Sequence, residues 1–275
     1  MLKSWLAHQL TKGLALDDPR TTFIRAEIIR EKPFLRKLYE EWYKEIASAL
    51  PPGNGALLEL GSGPGFMQTV IPGLITSEVF WGSDVDLVMD GSQLPFADDS
   101  LRAIVMTDVF HHLSQPRSFL KEATRCVRTG GKVVMVEPWV SLWSRWVYQR
   151  WHHEPFRPDA PEWEFSPTGP LSGANGALPW IIFHRDRAQF EAEFPQWQIE
   201  LIKPMMPFRY LVSGGVSLRG LQPSWSYGLW QRLEDALQPW MDKLAMFSLI
   251  VLQRNKMVIS GKRKTSEESL LEGTE

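Results

Sequence analysis

Glu59, Gly61, Gly63 and Gly65 stand at alternating positions straight after the apolar run Ala56-Leu57-Leu58, a spacing that reads as a strand opening into a ligand loop. Glycines there let the chain turn tightly and let a ligand lie against bare backbone, with the next helix offering its positive N-terminus. The ligand implied is nucleotide-like. The dinucleotide pattern G-x-G-x-x-G/A needs a small third residue at position 66, where Phe66 stands, so a nicotinamide cofactor is disfavoured.

Four further landmarks follow in register. Asp84 comes after the apolar Val79-Phe80-Trp81, read as the second strand. Then come Asp90-Gly91 with Leu94-Pro95-Phe96-Ala97-Asp98-Asp99-Ser100, next Thr107-Asp108-Val109-Phe110-His111-His112-Leu113, and last Arg125-Cys126-Val127-Arg128-Thr129-Gly130-Gly131. Together with the E-x-G-x-G-x-G loop, this order resembles the class I S-adenosylmethionine (SAM) dependent methyltransferases, in particular the type 11 subfamily that includes ubiquinone and menaquinone C-methyltransferases. The resemblance covers roughly residues 55 to 140.

That resemblance implies an α/β fold with a doubly wound, mostly parallel seven-stranded sheet, and SAM as the cofactor. By resemblance Glu59 lies near the methionine end and Gly61, Ser62, Gly63 and Gly65 form the cradle. Asp84 accepts the ribose hydroxyls, Asp90 and Gly91 lie towards the adenine, and Thr107 ends the fourth strand where the backbone passes the cofactor. Asp84 and Asp90 are too close in sequence for a helix between them, so the third strand is expected to be a short edge piece or one acid to be out of its usual place.

Methyl transfer from a sulfonium is an in-line displacement that chiefly needs a nucleophile held about 3 Å from the methyl in a dry pocket. A base helps when the nucleophile is a phenol or an activated carbon, and histidine is the usual candidate near neutral pH. His112 is therefore assigned to the acceptor side, as catalytic residue, against the plainer alternative that His111 and His112 only cap the next helix. His152-His153-Glu154 invites a metal reading with that pair. Adjacent histidines point in different directions and H-E-x-x-H spacing is absent, so no metal site is expected.

The elements that must position these residues are legible from periodicity and breakers. Apolar residues at helical spacing over 21–50, with Pro33 opening a second helix, give a helical preface. Strands are read at 56–60, 79–83, 86–89, 102–107 and 132–137, and alternation of this kind implies a parallel sheet with right-handed crossovers. Residues 152–180 form a long irregular insertion. A helix capped by Asp186, a strand at 198–202, a helix over 225–242 and a last strand at 244–253 complete the chain. The domain scheme is 1–54 helical preface, 55–255 methyltransferase domain and 256–275 a charged, disordered tail.

The 275 residues, 44% of them hydrophobic, suffice for one large core, and a net charge of -2 gives no electrostatic footprint for nucleic acid. The single cysteine, Cys126, reads as a buried packing residue, the N-terminus lacks a signal peptide, and no apolar run reaches a membrane span, so a cytoplasmic protein is expected. Thirteen tryptophans include Trp139, Trp143, Trp146 and Trp151, read as a core or substrate helix, with peripheral membrane contact through interfacial aromatics left open. Trp139, Trp143, Trp146, Met205, Met206, Phe208 and Tyr210 are expected over the substrate mouth, which suggests an apolar, aromatic or lipid-linked small-molecule acceptor. For Met205 and Met206 core packing stands equally open. A non-catalytic scaffold of the same fold is the rival reading, and the intact Glu59, glycines and Asp84 argue against it.

Overall fold

The computed structural model describes residues 17–18, 20–63, 65–80, 85–151, 154–166, 169, 173–220 and 222–256. Asp84 and the charged tail beyond 256 lie outside these residues. The centre is a seven-stranded sheet of order β3-β2-β1-β4-β5-β7-β6. Its strands are β1 (Ala56–Glu59), β2 (Leu74–Glu78), β3 (Leu87–Val88), β4 (Leu101–Thr107), β5 (Val127–Pro138), β6 (Trp197–Met205) and β7 (Phe247–Arg254). All neighbours pair in parallel except β7, which runs antiparallel between β5 and β6. The expected α/β fold and strand count are thus observed.

The central strands are buried on both faces, so they read as continuous apolar runs, such as Val133 to Val136 in β5. Helices α1 (Arg20–Glu31) and α2 (Pro33–Ala49) cover one face, and Pro33 opens α2 as its missing N–H and fixed φ favour. Trp42 on α2 is buried and packs on Tyr210 and Phe247 with ring centroids 5.8 and 4.9 Å away. Such a side chain contributes about 2–3 kcal/mol of burial. Helix α3 (Pro116–Cys126) ends on Cys126, which is fully buried as expected.

Several boundaries differ from expectation. The second strand is 74–78 and ends on Glu78, because Leu74-Ile75-Thr76 pairs with β1, Ser77-Glu78 pairs with β3, and Val79 already lies outside the ladder. No α-helix follows the glycine loop. The connection holds only a 3-10 turn, Met67–Thr69, since Pro72-Gly73 ends it within one turn. The third strand is indeed a two-residue edge piece. The helix expected over 225–242 is broken into α8 (Tyr227–Ala236), a 3-10 turn at Gln238–Trp240 and α9 (Met241–Leu244), with Pro239 at the break.

Between β5 and β6 lie α4 (Leu142–Trp151), the irregular insertion, α5 (Leu178–Trp180) continuing as a π-turn through Arg185, and α6 (Arg187–Glu193). Asp186 precedes α6 but makes no side-chain cap; its carboxylate instead accepts from Trp163 Nε1 at 2.9 Å and pairs with Arg185. The insertion is tied over the carboxyl end of β4 by Asn175 N–H to His111 O and Phe165 N–H to Ser114 O. Between β6 and β7, α7 (Arg209–Ser213) is held by Arg209, buried between Glu234 of α8 and Glu41 of α2 at 2.5 and 2.6 Å.

Candidate active site

The strand order reverses between β1 and β4, and a cavity of about 550 Å³ opens at their carboxyl ends. That is where open α/β sheets place ligands, because loops diverge there and leave a crevice. Glu59, Gly61, Ser62, Gly63, Gly65, Asp90, Gly91, Thr107 and His112 all line it. The residues assigned from sequence to the cofactor, together with His112, therefore converge on one cavity, apart from Asp84 outside the described residues.

The glycine loop is built for close approach. Gly61 and Gly63 adopt φ of +65° and +51°, the left-handed region that side chains resist. At Gly65 a Cβ would meet Ser62 O and Tyr43 Oη at 2.7 Å. Ser62 locks the loop to β2: its N–H donates to Ser77 O at 2.8 Å and its Oγ accepts from Ser77 N–H at 3.1 Å.

Glu78 is the acid that sequence reading missed. It ends β2, and its two carboxylate oxygens accept the N–H groups of Gly63 at 2.7 Å and Val79 at 2.8 Å. It thereby ties the glycine loop to the end of β2. The signal was present as an acid after Leu74-Ile75-Thr76-Ser77, but the more apolar Val79-Phe80-Trp81 drew the strand assignment away. Burial raises the Glu78 carboxyl, against the stabilising donors of Val79 and Gly63.

Glu59 is 3% exposed, and burial pushes its carboxyl up to about 7, against the Ser62 hydrogen bond and with the Glu78 charge adding to the rise. Among the described lining residues the carboxylates Glu59, Glu78, Asp90, Asp108 and Glu154 face a single guanidinium, Arg25. This excess of negative charge suits a cationic ligand. Asp108 has φ of +61°, a strained conformation for a non-glycine residue, and directly follows β4.

The turn after β4 is organised by Glu137, buried at the end of β5. Its Oε1 accepts the N–H groups of Val109 and Phe110 at 2.9 and 2.7 Å, and its Oε2 lies 2.8 Å from His111 Nδ1. His111 is fully buried, and its Nε2 lies 3.4 Å from Glu154 Oε2 without making a hydrogen bond. Burial opposes its charge, but Glu137 and Glu154 override it and hold the imidazole well above the usual range. His112 behaves oppositely: burial and the neighbouring His111 charge lower it to about 3, which keeps it neutral. Its Nδ1 lies 3.3 Å from Gly173 O, and the two rings pack with centroids 4.2 Å apart.

Of the residues expected over the substrate mouth, only Tyr210 lines the cavity, together with Tyr39 and Tyr43 of α2. Trp139, Met205 and Met206 are core residues, buried by the β5–β7–β6 packing. Trp143 stacks on Trp146 at 5.4 Å and meets Phe208 edge-on, an aromatic stack apart from the cavity lining. Sequence reading placed these side chains over the mouth because their regions normally cover it; Trp139, Met205 and Met206 instead pack in the core, and Trp143 and Trp146 of α4 stack on each other.

Residues 58–135 match the family model described as methyltransferase domain. No match was found among curated proteins. Among solved structures, a chain of the complex between the Haloferax volcanii Trm112 methyltransferase activator and its methyltransferase is 13% identical, with a TM-score of 0.50, over 88% of this chain and 98% of that one. The geranyl diphosphate C-methyltransferase of Streptomyces coelicolor is 14% identical, with a TM-score of 0.48, over 87% and 86% of the two chains. A SAM-dependent methyltransferase of Thermotoga maritima is 13% identical, with a TM-score of 0.49, over 85% and 99%.

Proposed function

We propose that this chain, a SAM-dependent methyltransferase of class I, transfers the methyl group to an apolar or aromatic small-molecule acceptor, lipid-linked acceptors included. The observation that carries the acceptor reading is the composition of the cavity lining. Beside the polar groups Asp108, His112 and Glu154, Tyr39, Tyr210 and Val216 give it an aromatic and aliphatic surface. An apolar body with a single oxygen, nitrogen or activated carbon directed at those polar groups would satisfy both parts.

In this reading the cofactor's ammonium and sulfonium lie in the negative field of Glu59 and Glu78, and Gly61, Gly63 and Gly65 let its methionine end lie close against the backbone. The ribose hydroxyls go to the acid at the end of β2. Glu78 is the better placed candidate for that contact, and Asp84 is retained as the other. Asp90 and Gly91 wall the adenine side, where a Cβ on Gly91 would press on Leu60 and Leu113 at 3.1 Å. Thr107, at the end of β4, borders the methyl.

The acceptor's lone pair forms a bond to the methyl carbon as the carbon–sulfur bond breaks, and the sulfonium's charge is extinguished in neutral S-adenosylhomocysteine. The acceptor's proton leaves towards Asp108 and His112. His112, neutral and half-enclosed, orients the acceptor there. Among the described residues no helix is long and apolar enough to cross a membrane, and the reading keeps the cytoplasmic setting expected from sequence. A contact with a membrane surface is compatible with exposed Leu142, Trp146, Trp225 and Trp240. The subfamily closest to quinone C-methylation is kept as the first place to look for acceptors.

The test is calorimetric titration of the purified protein with SAM and S-adenosylhomocysteine, NAD serving as control, followed by methyl transfer from labelled SAM to a panel of phenols and quinol-like lipids. Micromolar binding of both adenosyl ligands with transfer to an apolar acceptor supports the reading. Transfer confined to polar or macromolecular acceptors would overturn the acceptor class, and binding without transfer to any acceptor would favour the scaffold rival.

A further inference from the structure

His111, His112 and Glu154 come from two distant parts of the chain, yet each offers a ligand atom within 4.8 Å of the others. Sequence spacing argued against a metal site because neighbouring histidines diverge on a regular helix or strand. Here they sit on a 3-10 turn, Phe110–His112, pinned by Glu137, and the insertion brings Glu154 back over them.

Three features go beyond mere proximity. First, His111 Nε2 is buried, makes no hydrogen bond and points at this cluster. A buried nitrogen that meets a carboxylate at 3.4 Å outside hydrogen-bond alignment is a place where an ion can lie between the two. Second, each histidine has an outer partner on Nδ1, the carboxylate of Glu137 for His111 and the carbonyl of Gly173 for His112. This is the arrangement by which proteins orient metal-binding imidazoles, and the ion would take the place of the His111 Nε2 proton, which is released to solvent. Third, the 3.4 Å from His111 Nε2 to Glu154 Oε2 equals the edge of a tetrahedron with metal–ligand bonds of about 2.0–2.1 Å.

We propose that His111 Nε2, His112 Nε2 and the Glu154 carboxylate bind one divalent first-row transition-metal ion, with zinc as the best-fitting probe. Two imidazoles and one carboxylate suit Zn²⁺ and its neighbours in the series and leave at least one coordination position open. The open position faces the acceptor end of the cavity, which His112 and Glu154 both line. A phenol, enol or similar oxygen bound there would lose its proton to solvent or to Asp108 and present an anionic nucleophile to the methyl. The ion's purpose rests on the methyl-transfer reading, whereas its ligands do not. The three ligand atoms, within 4.8 Å of one another, draw together on binding.

The test uses the full chain, stripped with a chelator and dialysed. Zinc titration by calorimetry should show one equivalent per chain at micromolar affinity or tighter, and cobalt should give the visible bands of an ion with nitrogen ligands. Glu154→Gln and His112→Ala should each weaken zinc at least tenfold, and Glu137→Gln, whose amide oxygen can still accept from the turn while the contact to His111 is altered, by about 10–100-fold. Circular dichroism and S-adenosylhomocysteine binding of Glu154→Gln serve to show an intact fold and cofactor site. No stoichiometric uptake by the wild type, a cobalt spectrum of the hexaaqua ion, or uptake undiminished in both ligand variants overturns the site. Failure of the wild type to bind S-adenosylhomocysteine would instead strike the methyltransferase reading and leave the zinc result to stand by itself.

Discussion

Glu137 Oε2 lies 2.8 Å from His111 Nδ1 while Oε1 of the same carboxylate accepts the N–H groups of Val109 and Phe110. One buried side chain on β5 therefore sets both the turn after β4 and the orientation of the histidine it carries. Replacing it by alanine strands two backbone donors and an imidazole in the core. Glu137→Ala should lose about 3 kcal/mol or more in urea unfolding, and Glu137→Gln less, because the amide oxygen still accepts from the turn. Equal stability of Glu137→Ala and wild type would show that the turn is held by its packing alone.

The acid at the end of β2 is tested by paired variants. Glu78→Gln should weaken S-adenosylhomocysteine at least tenfold, the scale of about 1.5–3 kcal/mol for a charge-assisted hydrogen bond. Asp84→Ala, the assignment made from sequence, should have the smaller effect if Glu78 takes the ribose. A loss confined to Asp84→Ala would return the ribose contact to that residue and leave Glu78 as the tie between loop and strand. Melting temperatures measured in parallel separate lost binding from lost folding.

Glu59 gives a pH signature. Its carboxyl moves from 4.5 to about 7 on folding, so between these values the folded chain holds a proton that the unfolded chain has released. Stability is then greatest below pH 4.5 as far as this group is concerned, and falls as pH rises through about 7, by about 3 kcal/mol in all. Glu59→Gln should flatten this part of the profile. Binding a cationic cofactor favours the ionised acid, so SAM affinity should rise with pH through 7 and calorimetry in paired buffers should record proton release. An affinity independent of pH from 5.5 to 8 would remove Glu59 from the cation's surroundings.

Arg209 is the electrostatic joint of the helices that back the cavity. Its side chain is 6% exposed and pairs with Glu234, itself 3% exposed, while its other nitrogens reach Glu41 and Tyr227. Arg209→Ala leaves a buried carboxylate without its cation and should cost about 3–5 kcal/mol by chemical denaturation. The double variant Arg209→Met with Glu234→Leu, which removes both charges and keeps the volume, should recover most of the loss. No recovery would locate the cost in the contacts to Glu41 and Tyr227.

The amino-acid sequence by itself determined the sheet, the glycine cradle and the side of the fold on which ligands gather. Those features are local: the runs Leu57-Leu58 and Val133 to Val136 are apolar because both faces are covered, and Gly61 and Gly63 are glycines because their φ is positive. What only the tertiary structure decided depends on pairing and on long loops. Glu78 rather than the residues after Val79 ends β2 because register with β1 outweighs local hydrophobicity. No helix follows the cradle because the available chain is too short before Pro72. Tyr39, Tyr43 and Arg25 reach the cavity from helices that precede the sheet, and Glu154 reaches His111 from an insertion without periodicity. Nothing in the spacing of those residues records the meeting, since it is made by packing α1, α2 and the insertion onto the carboxyl ends of strands far away in the chain.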